Sequence, residues 1–213
     1  MTKDLFSQEK FSQEKFSQEK LSQEKFSHEN SDDTFTGLVA IEETFDDLYF
    51  QNCTFIGCQF IQSRFLSCVF EDCVFERCDL SLIAINNSSF VEAQFKDCKC
   101  VGINWTVAGQ RLSLRFEKCN LTRSSFLERK IPELHLKNCI VHEANFSAAT
   151  LPWSDFSGSD FEGALFNQTD LQDTTFKDAK NYAIHPIENK VKGATFSFPE
   201  AMSLLGGFEI KIE

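Results

Sequence analysis

Residues 45–75 read FDDLYFQNCTFIGCQFIQSRFLSCVFEDCVF, and a phenylalanine stands at every fifth position: Phe45, Phe50, Phe55, Phe60, Phe65, Phe70 and Phe75. Two residues before most of them sits a small side chain, Cys53, Cys58, Ser63, Cys68 or Cys73. On a helix, steps of five residues advance about 140° and scatter the rings around the surface. On a strand, an odd step sends successive rings to opposite faces. A chain that turns a corner every five residues satisfies the pattern, with one large and one small residue pointing inward on each short side and three pointing outward.

The frame runs on through Leu80, Ile85, Phe90, Phe95, Cys100 and Trp105, slips by one residue, and resumes from Phe116 to Phe176. All 26 central positions, 13 on each side of the slip, are apolar, and 16 of the 24 phenylalanines occupy them. Cysteines recur 20 residues apart (Cys53 and Cys73; Cys58, Cys78 and Cys98; Cys119 and Cys139), as do Pro132 and Pro152. Twenty residues is four sides of five, so the expected unit is a four-sided coil stacked at about 4.8 Å, burying its core against its neighbours. Burial of one phenylalanine stabilises by roughly 1.5–3 kcal/mol, so stacked rings can hold such a fold without a helical layer.

Units such as CDLSL, CNLTR, ANFSA, SDFSG, SDFEG and TDLQD resemble the pentapeptide repeat family, over about residues 45–180. The resemblance implies an all-β fold, a right-handed quadrilateral parallel β-helix. Three segments are expected. Residues 1–33 hold near-perfect FSQEK copies that place Glu9, Glu14, Glu19 and Glu24 in the small inward slot, where unpaired carboxylates are costly. This segment reads as a solvated low-complexity arm, or else as a loose continuation of the opening coil. Frame breaks between Phe26 and Phe35 place the first regular coil near Phe35 or Phe45. Residues 34–180 form the β-helix, and residues 181–213 form a cap, which an open solenoid end requires. In that cap Ser197 is expected to start a short helix ended by Gly206 or Gly207, and residues 208–213 to form a strand. The tail resembles that of quinolone-resistance members of the family (the Qnr and MfpA type), which implies a homodimer contact through Leu204, Leu205, Phe208 and Ile210.

No catalytic constellation is visible. His28, His135, His142 and His185 are scattered, and no metalloprotease, phosphate-loop or nucleophile-elbow motif occurs. Eight of nine cysteines fill the small slot and the ninth, Cys100, is central. Ser, Ala and Thr fill the same slot elsewhere, so packing rather than metal binding is expected. No cofactor, enzyme activity or metal site is expected. The thiols and the absence of an apolar leader point to the cytoplasm, and no stretch is long and apolar enough to cross a membrane as a helix.

What remains is surface charge. The net charge is −11, which disfavours a direct nucleic-acid binder. Residues 39–99 carry 10 acids and 4 bases, residues 111–137 carry 3 acids and 7 bases, and residues 138–180 carry 7 acids and 2 bases. A basic belt (Arg111, Arg115, Lys118, Arg123, Arg129, Lys130 and Lys137) is therefore expected between acidic ends. The slip at residues 105–116 reads as a corner bulge or, through Arg111 and Arg115, a small contact loop. Asp and Asn one residue before the centre are expected to serve corner hydrogen bonds. Two functions follow. One is a non-enzymatic protein-binding scaffold with an unassigned partner. The other, implied by the resemblance, is a DNA mimic that occupies a type II topoisomerase (gyrase or topoisomerase IV) and protects it from quinolones or toxins, through Asp155, Asp160, Glu162, Asp170, Asp173 and Asp178.

Overall fold

A computed structural model describes residues 26–208. Short strands pair in parallel with partners 20 residues later: Thr34–Thr36 with Thr54–Ile56, Thr54–Ile56 with Val74–Glu76, and Tyr49–Gln51 with Val69–Glu71. After the slip the register is 21, Phe95 opposite Phe116, and then 20 again, Phe116 opposite Leu136. The result is the expected four-sided parallel β-helix, of about 8 turns. Its four faces are named here by Phe50, Phe55, Phe60 and Phe65.

All 26 central residues are buried. Phe55, Phe75, Phe95 and Phe116 lie directly above one another, with centroids 4.7, 4.9 and 4.6 Å apart and rings within 13° of parallel. Around a coil the rings meet edge-on instead: Phe55–Phe60 at 76°, Phe60–Phe65 at 75° and Phe65–Phe70 at 78°. Both arrangements suit the ring quadrupole, and the coil spacing sets which one operates in each direction.

The small slot does more than fill space. Ser63 Oγ donates to Ala40 O, Ser88 Oγ to Phe65 O, Thr169 Oγ1 to Phe146 O and Cys78 Sγ to Phe55 O, each one coil below. Ser88 Oγ and Ser159 Oγ also accept from the backbone N–H of Cys68 and Cys139. Cys, Ser and Thr recur there because each is small and can donate to a backbone carbonyl that would otherwise be buried unpaired.

Two residues after nearly every centre the backbone turns the corner with positive φ; Val107, in the 3-10 turn after Trp105, is an exception. Twenty-four non-glycine residues adopt this left-handed conformation, as do Gly37, Gly57, Gly102, Gly158, Gly163 and Gly193.

The frame begins earlier than expected. Asn30 and Ala40 occupy central positions at 5% and 0% exposure. Asn30 Nδ2 donates to Ser27 O and Tyr49 O, and Phe26 packs edge-on against Phe35, Phe45 and Phe50. Residues 26–33, assigned above to the arm, thus lie in the solenoid, where Glu29–Ser31 pairs with Tyr49–Gln51. The FSQEK copies themselves lie outside the described residues.

The slip resolves into two changes. Gln110 and Arg111 are inserted after Gly109, so Phe90 N–H reaches Arg111 O. One residue is then lost between Leu112 and Leu114, where the register shifts. Gly109 fits because a Cβ there would stand 2.7 Å from Ser89 Oγ and 3.1 Å from Asn87 O.

The C-terminal helix is a 3-10 helix, Glu200–Phe208. Ser197 does not cap it with its side chain: Ser197 Oγ accepts from Asp178 N–H on the coil below. Phe208 belongs to this helix rather than to a strand, and residues 209–213, including Ile210, lie outside the described residues.

Candidate interaction surface

With two residues of every five inside, the chemistry open to a partner lies on the other three. The residue before the centre is largely committed to the fold. Asp155 Oδ1 accepts from Ser157 N–H and Oγ, Asp160 Oδ1 from Glu162 N–H, and Asp170 Oδ1 from Gln172 N–H; Asp79, Asn120 and Asn145 make the same turn. Each of the three late aspartates also meets a lysine: Lys137 at 2.8 Å, Lys180 at 3.2 Å and Lys190 at 3.2 Å. Partial burial pushes these carboxyls up. The opposing hydrogen bonds, from Lys137 and Ser157 to Asp155, from Asn181 and Lys180 to Asp160, and from Gln172 and Lys190 to Asp170, outweigh it and hold all three below the ordinary aspartate value. Of the six acids singled out in the sequence, these three are corner supports.

Glu162, Asp173 and Asp178 are exposed. The six are not gathered on one face: Asp155 lies on the Phe55 face, Asp160 and Glu162 on the Phe60 face, Asp170 on the Phe50 face, and Asp173 and Asp178 at two different corners.

Those corners form the acidic feature that reading the sequence by segments missed. Eleven of the 24 left-handed non-glycine residues are Asp or Glu, against three that are Arg or Lys. Writing the sequence in rows of 20 would have lined them up.

The basic belt, by contrast, dissolves. Arg111 faces Glu71 at 3.8 Å, Arg115 faces Glu92 at 3.5 Å, Arg123 is bidentate on Glu143, and Lys137 holds Asp155. Arg115 also lies 3.2 Å from a His135 ring nitrogen; burial, then the Arg115 charge, keeps the His135 pKa below its ordinary value. Arg129 is not on the belt at all. It fills the small inward slot above Ala108, and its guanidinium donates to Ala108 O at 3.4 Å and Gly109 O at 2.5 Å. Displacement of the ladder by the Gln110–Arg111 insertion leaves Gly109 O without its usual backbone donor, and Arg129 replaces it.

The nine cysteines are free and buried. Burial pushes the Cys68 thiol up to about 11 and the Cys73 thiol up to about 12, which makes these two poor nucleophiles. Among the described residues, no group of three His, Cys, Asp or Glu side chains could hold a metal ion, and no helix is long and apolar enough to cross a membrane. At the C-terminal end Leu204 packs partly on the core, Leu205 is half-buried, and Met202 and Phe208 are 38% and 48% exposed.

The family model for the pentapeptide repeat region matches residues 48–111 and 112–181, well over half of the chain. Among solved structures, three of QnrB1, a plasmid-mediated fluoroquinolone resistance protein, are similar. Two trypsin-treated variants align at 21% and 22% identity, covering 91% and 87% of this chain and 96% and 97% of theirs, with TM-scores of 0.63 and 0.65. The full-length form aligns at 21% identity over 85% of this chain and 100% of its own, with a TM-score of 0.61. At this identity the likeness speaks for the fold. No curated protein matches. With a repeat match over both halves of the rod and the same solenoid in its structural neighbours, the chain belongs to the pentapeptide repeat family.

Proposed function

We propose that this protein is a non-catalytic scaffold that docks on a positively charged surface of a protein partner through its acidic corners. The observation that carries the reading is the left-handed corner set, with eleven acids against three bases. From Asp32 to Asp178 the rod rises about 35 Å at 4.8 Å per coil, so the net corner charge falls about once per 4 Å. One DNA strand carries a charge every 3.4 Å or so. The nine free thiols support a reducing cytoplasm.

The charge density favours one second reading: the partner is the positive DNA-binding saddle of a type II topoisomerase, gyrase or topoisomerase IV, and the protein protects it from quinolones or toxins. The shared solenoid of QnrB1, named as a fluoroquinolone resistance protein, supports this choice. Ion pairs of Arg111, Arg115, Arg123 and Lys137 with neighbouring carboxylates weaken the main obstacle to it. The test is gyrase supercoiling with and without a quinolone. Protection at micromolar protein is expected, and it should weaken in a variant carrying Asp173→Lys and Asp178→Lys, whose exposed carboxylates support no corner. No effect of the wild-type protein on gyrase removes the topoisomerase reading and leaves the scaffold reading to a pull-down from lysate.

The C-terminal segment is proposed to make a homodimer, through Leu204, Leu205, Phe208 and Ile210. The exposed Met202 and Phe208 support it. Leu205→Asp should convert dimers to monomers by light scattering; a monomeric wild type rejects it.

A further inference from the structure

Two corner residues, Leu82 and Trp153, are large, apolar and exposed, and Trp153 is the aromatic one. Trp153 turns its corner at φ +57° and is 61% exposed. A left-handed backbone disfavours bulky side chains, and an exposed indole adds nothing to the core. Its neighbours are fixed by the ladder. Glu133 N–H donates to Pro152 O and Trp153 N–H to Gln172 O, so Glu133, Trp153 and Asp173 stand one above another on three successive coils, about 4.8 Å apart. Pro132 and Pro152 precede the first two. The same corner carries Asp72 and Glu92 on earlier coils. The local arrangement is an exposed aromatic plate with a carboxylate above and below it, on a rigid edge.

We propose that this edge recognises an arginine side chain of the partner. The proposal rests on the reading that acidic corners meet a basic protein surface, and narrows it to one edge and one residue type. A guanidinium is planar, weakly hydrated and able to stack on an indole face while its N–H groups remain free in the plane. Those N–H groups meet the carboxylates of Glu133 and Asp173 on either side as charge-assisted hydrogen bonds. A lysine ammonium can satisfy the charge but not the stack. Nucleic acid and anionic membranes are repelled by the same carboxylates. Because the corner is built by stacked coils, little ordering is needed on binding, which favours affinity.

The test uses the full-length protein with two probes of equal charge, nona-arginine and nona-lysine peptides, followed by tryptophan fluorescence and calorimetry. Trp105 is fully buried, so a change in emission reports Trp153. The arginine peptide is expected to bind about fivefold more tightly than the lysine peptide, the equivalent of roughly 1 kcal/mol for one cation–π contact. Trp153→Ala should abolish that preference. Ala148 adopts the same left-handed conformation at another corner, φ +55°, so the substitution is compatible with the fold, and an unchanged circular dichroism spectrum checks this. Glu133→Gln with Asp173→Asn should weaken both peptides. Equal binding of the two peptides by the wild type, or a preference that survives Trp153→Ala, overturns the arginine edge while leaving the basic-partner reading intact. Failure of both peptides to bind removes the two together.

Discussion

Replacing Phe75 by alanine tests the ring column at its centre. Phe75 is 2% exposed and stacks on Phe55 at 4.7 Å and on Phe95 at 4.9 Å, both at 6°. A buried phenylalanine removes about 150 Å² or more from water, worth about 4 kcal/mol at 25 cal/mol per Å². Measured Phe→Ala losses of roughly 3–5 kcal/mol include the cavity, so the expected loss is about 4 kcal/mol. The sharper quantity is the coupling between rings. A double-mutant cycle on Phe55 and Phe75 should return an interaction of about 0.5–1.5 kcal/mol, as for contacting aromatic pairs. The same cycle on Phe55 and Phe95, two coils apart, should be additive to within about 0.5 kcal/mol. Urea unfolding followed by circular dichroism supplies the free energies. Because a solenoid can open from one end, amide exchange at Val74 and Cys78 checks that the same event is being measured. Equal coupling in both cycles, or none in either, would refute coil-by-coil stacking as the source of stability.

Three further outcomes follow from the same geometry. Arg129→Met strips the donors from Ala108 O and Gly109 O, at about 1–3 kcal/mol for a group left unpaired, offset in part because Arg129 Nε is itself buried without a partner; amide protection should fall between residues 108 and 116 and stay constant elsewhere. The folded protein should show almost no reaction with a thiol reagent at pH 8, and all nine cysteines should react once denaturant is added; rapid reaction of any thiol in the native state contradicts their burial in the core. Acid should destabilise the rod in two stages. His135 has a lowered folded pKa, so its contribution is complete above the unfolded value of about 6.5 and is lost as pH falls through the folded value. Asp155, Asp160 and Asp170 behave alike around their unfolded value of about 3.9, so Tm should drop slightly below pH 6.5 and steeply below pH 4, and His135→Gln should remove only the first stage.

The interior was readable because selection at the central position is strict: all 26 are apolar and buried, although the slot two residues earlier also takes Leu48, Ile83, Ile103, Leu114 and Leu134. Asn30 and Ala40 escaped because neither is a large apolar residue, yet the Asn30 position can seat an amide because its Nδ2 is hydrogen-bonded to Ser27 O and Tyr49 O. Arg129 escaped because a charged residue in the small slot looks like a surface residue slipped out of frame. Its role depends on carbonyls freed by an insertion about 20 residues earlier, a relation visible only once the coils are stacked. The belt misled for the same reason. Charge counted along a segment ignores partners one coil away, although Arg123 and Glu143, or Asp170 and Lys190, are 20 apart and could be paired on paper. At the C-terminus local propensity placed a side-chain cap on Ser197, and the need to satisfy Asp178 N–H on the last coil overrode it.

The division of labour within each five residues also says where a partner can be specified. The centre and the small slot are closed by packing, and the residue before the centre by its turn. The residue two after the centre is restricted by conformation and otherwise free. Glycine, Asn and Asp adopt a left-handed corner with the least strain, so Asp47 or Asn52 at such a site is accounted for by the backbone alone. Glutamate and tryptophan have no such advantage, and the left-handed conformation costs an ordinary residue roughly 1–2 kcal/mol. Glu42, Glu92, Glu128, Glu133, Glu143 and Trp153 all accept that cost on the outside of the rod, where no core contact repays it. Glu92 and Glu143 recover part of it in ion pairs with Arg115 and Arg123. Glu133 and Trp153, adjacent on one corner, have no such ion pair among the described residues, which is the physical reason to seek the partner there first.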